Sequence, residues 1–164
     1  WGPTGHWQVP KTEWGVPIEE TSTEKASRYR ERYENAILAD RAKCLGSYVF
    51  FWGARQEQTH TWYGMFLPSG ERTAAVNVMQ ELWTGKPPAN RAPRIESFTI
   101  DGQSAGESIR LDAGTQHEAA LKVVDPDGDS LSFEYESPAA LVFVNMWANP
   151  RENVQGSDAT AQSP

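Results

Sequence analysis

The sequence predicts an α/β layer in its first half and a small all-β module in its second. Three observations carry this. Residues 47–53, Ser-Tyr-Val-Phe-Phe-Trp-Gly, are apolar at nearly every step, the pattern of a strand covered on both faces. Two helical patterns flank that run. Beyond residues 85–93, which hold three prolines and few apolar residues, short apolar runs alternate with turn signals, as in a sandwich of short strands.

Each element follows from its residues. Residues 1–20 are punctuated by Gly2, Pro3, Gly5, Pro10, Gly15 and Pro17 and read as loop. Thr21, with Glu24 three positions on, forms a capping box that starts a helix. Tyr29, Tyr33 and Ala36/Ile37 make its apolar stripe, while Arg28, Arg30, Glu31 and Arg32 face water. The helix should end near Lys43, with Gly46 breaking it. The polar and aromatic stretch 54–71 is far longer than the ~2–6 residues usual between a strand and its following helix. Within it, 61–66 reads as a short strand closed by Pro68-Ser69-Gly70. A second helix runs over 72–83, with Ala75, Val78, Met79 and Leu82 on one face. Gly85 caps its end and Pro87-Pro88 stops it.

The proline segment 86–93 reads as a stiff linker. After it, 95–100, 108–111, 118–124, 131–136 and 141–146 read as strands, with Asp101-Gly102 as a hairpin turn. Residues 150–164 are polar and read as a disordered tail. The single apolar strand at 47–53 has no strand partner in this sequence, so its cover is expected from elsewhere. The opening Trp1 and the polar end read as an excerpt of a longer protein.

Composition removes several function classes. The chain has 164 residues, 22 acidic and 15 basic, for a net charge of −7. That surface argues against general binding to nucleic-acid backbones, and the basic residues are scattered rather than clustered. No run of ~18 apolar residues is present to span a membrane. The lone Cys44 excludes an internal disulfide and a multi-cysteine zinc site; it reads as a buried, inert thiol. His6, His60 and His117 lack metal-ligand spacing. Asp125, Asp127 and Asp129 alternate in Asp-Pro-Asp-Gly-Asp. They form a charged turn, with calcium ligation as the other reading.

Lys11-Thr12-Glu13-Trp14-Gly15 resembles the segment that closes the seventh strand in clan A glycoside hydrolases, including cellulase-like families and family 2 glycosidases. The order that follows is similar too: helix, aromatic strand ending at Trp52, helix, proline linker, β module. The resemblance implies an α/β barrel fragment, the last βα units of a TIM barrel over residues 1–85. A linker (86–93) and an Ig-like or PKD-like β module (94–149) would follow. It implies a retaining glycoside hydrolase or transglycosylase acting on polysaccharide or oligosaccharide, in a secreted, periplasmic or cell-surface protein. No cofactor would be needed. The missing N-terminal barrel strands would be required, and this chain alone would be inactive.

Under that resemblance Glu13 is the nucleophile. Pro10 and Lys11 stand in its approach, where a central strand disfavours proline. The nucleophile would otherwise lie upstream of Trp1, leaving Glu13 as a loop carboxylate. Trp52 would be a sugar platform rather than a core indole. Trp62 and Tyr63 either line further subsites or fold the long loop. Trp14 and Trp7 are further stacking candidates, and Trp83 is expected to pack its helix. Arg55, Glu57 and His60 either bond a sugar hydroxyl or satisfy loop backbone. The alternative from another class is a non-catalytic carbohydrate-binding or cell-surface adhesion protein, with its tryptophans as the binding surface.

Overall fold

A computed structural model describes residues 1–104, 106–112, 114–136 and 143–148. The polar tail, and residues 141–142 of the last expected strand, lie outside the described residues. Helix α1 spans Ser22–Arg32 and α2 spans Ala74–Thr84. Five strands follow: β1 Arg94–Ile100, β2 Gln103–Ser104, β3 Ala119–Val124, β4 Leu131–Glu136 and β5 Phe143–Ala148. Strands β2-β1-β3 form one antiparallel sheet, and β4-β5 form a second, antiparallel pair.

This overturns the expected barrel fragment. The described residues form two helices and antiparallel β-structure, without the parallel βα units that a barrel requires. Residues 47–53 form no strand. Their contact with Trp1 is two bonds long: the Trp1 amino group donates to Tyr48 O (3.3 Å) and the Phe50 amide to Trp1 O (2.6 Å). The apolar run also splits by face. Val49 packs against the core, whereas Tyr48, Phe50 and Trp52 are exposed. Continuous hydrophobicity predicts burial on both faces; here it marks one packed face and one open aromatic face.

The helices obey their caps. Thr21 Oγ1 accepts from the Glu24 amide while the Glu24 carboxylate accepts from the Thr21 amide, the reciprocal capping box. Gly85 ends α2 at φ +72°, its amide donating to Glu81 O, a conformation costly for any residue with a Cβ. α1 departs from expectation at its end. From Tyr33 to Leu38 it continues as a π-helix, closed by the Ala39 amide on Glu34 O (3.1 Å). The wider turn breaks the 3.6-residue phase, so Ala36 faces solvent instead of extending the stripe.

The core lies between the helices: Tyr29 from α1, Met65 from the long loop, and Ala75, Val76 and Met79 from α2. Trp1 seals one end, its ring edge-on to Tyr29 at 5.2 Å. The proline segment is docked rather than free. Pro88 and Pro93 are buried, and the Ile95 amide donates to Thr23 Oγ1 (2.9 Å). Arg91 bonds Asp127 twice through its guanidinium (2.6 and 2.9 Å) and once through its amide (2.6 Å). Asn90 Nδ2 donates to Asp129 Oδ2 (3.0 Å). Asp125 Oδ1 accepts the amides of Asp127 and Asp129. The three carboxylates of the acidic turn thus bond a cationic side chain, an amide side chain and their own backbone.

Candidate functional site

The expected nucleophile sits on a surface hairpin. Lys11 bridges Pro17, and the Thr12 amide donates to Val16 O (2.8 Å), with Gly15 at φ +85° making the turn. Glu13 and Trp14 ride its tip. The Glu13 amide donates to Ser108 Oγ (3.0 Å), and its carboxylate accepts from Arg110 Nη2 (3.2 Å). The Arg110 guanidinium also lies over the Trp14 ring at 5.5 Å. The Glu13 side chain is 69% exposed. Its position fastens the hairpin to the β module, and Trp14 serves the same clamp with one indole face already occupied.

Trp62 and Tyr63 are buried. The Trp62 indole N–H donates to Thr4 O (3.0 Å), and Tyr63 Oη accepts from the His6 amide (3.3 Å). Both rings spend their polar handles tying the long loop to residues 4–6. This is the loop-folding role, and neither ring offers an open face.

Trp52 differs. It is 53% exposed, edge-on to Phe66 at 5.2 Å, and tilted 31° against Trp83 at 5.9 Å. Trp83 is itself 47% exposed, so it shares an aromatic surface with Trp52 rather than only packing its helix. Phe66 props Trp52 from the partly buried side. The pair forms a shallow apolar platform whose ring faces are partly open to solvent.

A second feature gathers residues distant in sequence. The Glu57 carboxylate is ion-paired with Arg55 Nη2 (2.8 Å) and lies 3.8 Å from His6 Nε2. The Arg55 guanidinium sits 5.7 Å from both the Phe50 and Phe51 rings. His6 stands edge-on to the exposed Trp7 at 5.0 Å and to Trp62 at 6.0 Å. The result is a carboxylate between two cation-capable groups, bordered by aromatic rings. His60, on the same loop, is exposed. Sequence reading did not connect His6 with Glu57, because the link runs through fifty intervening residues (57 − 6 = 51). The usable signal was local: Arg55-Gln56-Glu57 stands two residues after the aromatic run 48–52.

Beneath this loop lies a polar network. Lys25 is buried on α1, its ammonium bonded to the Glu19 carboxylate and to Thr61 O (2.7 Å). Burial pushes the Lys25 ammonium below the usual lysine value, with the Glu19 carboxylate opposing that shift. Glu19 also accepts from Thr59 Oγ1 (2.6 Å) and Thr61 Oγ1 (2.8 Å).

Among the described residues no three His, Cys, Asp or Glu side chains are grouped to hold a metal ion. No helix there is long and apolar enough to cross a membrane. No protein-family model matches the chain, and no curated protein matches it either.

Proposed function

We propose that this chain supplies a carbohydrate-contacting surface to a glycoside hydrolase or transglycosylase. The carrying observation is the platform of Trp52 and Trp83, two half-exposed indoles tilted 31° to one another. Exposed indoles in a group rather than singly mark an interaction site. The C–H faces of a sugar ring suit such a platform, and its hydroxyls need nearby donors and acceptors. Arg55 and Glu57, on the loop that follows Trp52, and His6, brought to Glu57 from the N-terminal loop, provide such groups, and the Arg55 guanidinium sits 5.7 Å from the Phe50 and Phe51 rings.

The chain's part in this reading is binding. A retaining mechanism uses two carboxyl groups about 5–5.5 Å apart. Glu13 is committed to Arg110 and Ser108, so it is not proposed as the nucleophile. Non-catalytic adhesion rests on the same platform and is separated by assay.

The test is intrinsic tryptophan fluorescence of the chain titrated with cellohexaose, xylohexaose and mannohexaose. At least one should perturb the emission, and Trp52→Ala should weaken that binding by about tenfold, a loss of roughly 1.4 kcal/mol. Saturable binding that Trp52→Ala leaves unchanged, or no binding of any of the three, overturns the proposal. Release of reducing ends by the full gene product distinguishes a hydrolase from an adhesin.

A further inference from the structure

The loop that carries Glu57 holds an unusual turn. The Thr59 amide donates to Glu57 O (2.8 Å) and the Glu57 amide to Thr59 O (3.0 Å), which closes a three-residue ring around Gln58. Gln58 therefore sits at φ +64°. A γ-turn with positive φ is rare and strained for a residue with a Cβ. Such strain persists only where the surroundings over-determine it, and it clusters at ligand clamps and switch regions.

The surroundings here are specific. Both Glu19 oxygens are used on the loop side, Oε2 by Thr59 Oγ1 and Oε1 by Thr61 Oγ1. Lys25, anchored in α1, neutralises Glu19 from behind and grips Thr61 O. Thr59 Oγ1 additionally accepts the Thr61 amide (3.3 Å). The strained residue is thus flanked on one side by Glu57 and on the other by a carboxylate latch.

We propose that Glu19 is a positioning residue for Glu57. It holds residues 57–61 in the strained turn that keeps the Glu57 carboxylate beside His6 and Arg55. Lys25 is the counter-charge that lets Glu19 do this in a half-buried setting. This inference deepens the carbohydrate reading and rests on it for the identity of the ligand.

The experiment uses Thr59→Val, which removes the bond to Glu19 and the acceptor of the Thr61 amide without charge change, and Glu19→Gln, which removes the charge. Each is also made with Gln58→Gly, because glycine adopts this φ without strain and needs no latch. Two readouts are taken: hydrogen exchange of the Thr59 amide, and binding of whichever of the three hexasaccharides the unmodified chain takes up. Thr59→Val should speed exchange by about tenfold and weaken binding by about fivefold, with an unchanged urea midpoint. Adding Gln58→Gly should restore both, a rescue that generic loss of stability would not give. Unchanged exchange in Thr59→Val, or a failed rescue, overturns the inference. Exchange that follows the expected pattern in a chain that binds none of the sugars sinks the carbohydrate reading and supports the positioning role.

Discussion

Tyr29 offers the sharpest test of the packing described above. Its ring is 2% exposed in the centre of the core, and its Oη has no hydrogen-bond partner among the described residues. A buried hydroxyl without a partner costs about 1–3 kcal/mol relative to water. Tyr29→Phe keeps the ring contacts with Trp1 and Met79 and removes that cost, so the variant should gain about 1 kcal/mol at neutral pH. Burial raises the Tyr29 hydroxyl from its ordinary value to about 12, with Arg32 pulling weakly the other way. The folded chain therefore holds this proton after the unfolded chain has lost it, and stability falls as pH rises above the ordinary tyrosine value of ~10. A shift of about two units makes that loss roughly 1.4 kcal/mol by pH ~11 and roughly 2.7 kcal/mol in full. Tyr29→Phe abolishes this component. Urea unfolding followed by tryptophan emission, at pH ~7, ~9 and ~11, should give a gap between the two proteins that widens with pH. A variant less stable than its parent at neutral pH would mean that Oη is partnered. A gap that stays constant would mean that the hydroxyl is not desolvated. Either result refutes the reasoning.

Other expectations follow from single observations. Met79 is fully buried between the helices, and Met79→Ala should cost about 3 kcal/mol in urea unfolding. Gly85→Ala meets open space but places a Cβ at φ +72°, so it should cost about 1 kcal/mol, read as a lower thermal midpoint. His117 is raised by its bond to Asp101 and by Asp112 O, and Asp101 is lowered by the Glu118 amide and then by His117. The His117 contribution is therefore present below the ordinary imidazole range and lost as pH climbs through the raised value. Amide exchange at Glu118, which donates to Asp101, should quicken across that rise beyond the ordinary base-catalysed trend, and His117→Asn should remove the excess.

What was legible in the sequence was whatever is encoded locally. The capping box at Thr21 and Glu24, the Gly85 stop, and strands β1, β3 and β4 all depend on neighbours within a few residues. The expectation at 108–111 failed because those residues serve as a docking face for the hairpin tip, Ser108 and Arg110 holding Glu13. The π-helical continuation at Tyr33 carries no periodic signature of its own, since the pattern before it is an ordinary helix. The aromatic run 47–53 misled for a physical reason. Hydrophobicity reports that a segment avoids water, not which partner covers it, and here one row of side chains stays open. For the site, the aromatics were visible but their division was not. Trp62 and Trp52 stand in the same stretch of sequence, yet one indole N–H is bound to Thr4 O while the other ring lies half in solvent. The Glu19 latch was invisible because it joins residues forty positions apart (59 − 19 = 40).

The docked proline segment changes how load passes through the molecule. Arg91 grips the acidic turn ahead of it, Ile95 hangs from Thr23 behind it, and Arg110 is pinned by Glu13 and Trp14 across the gap. A pull on the β module therefore meets several side-chain contacts before it can straighten the segment. The segment acts as a braced strut rather than a free tether between the helices and the β module.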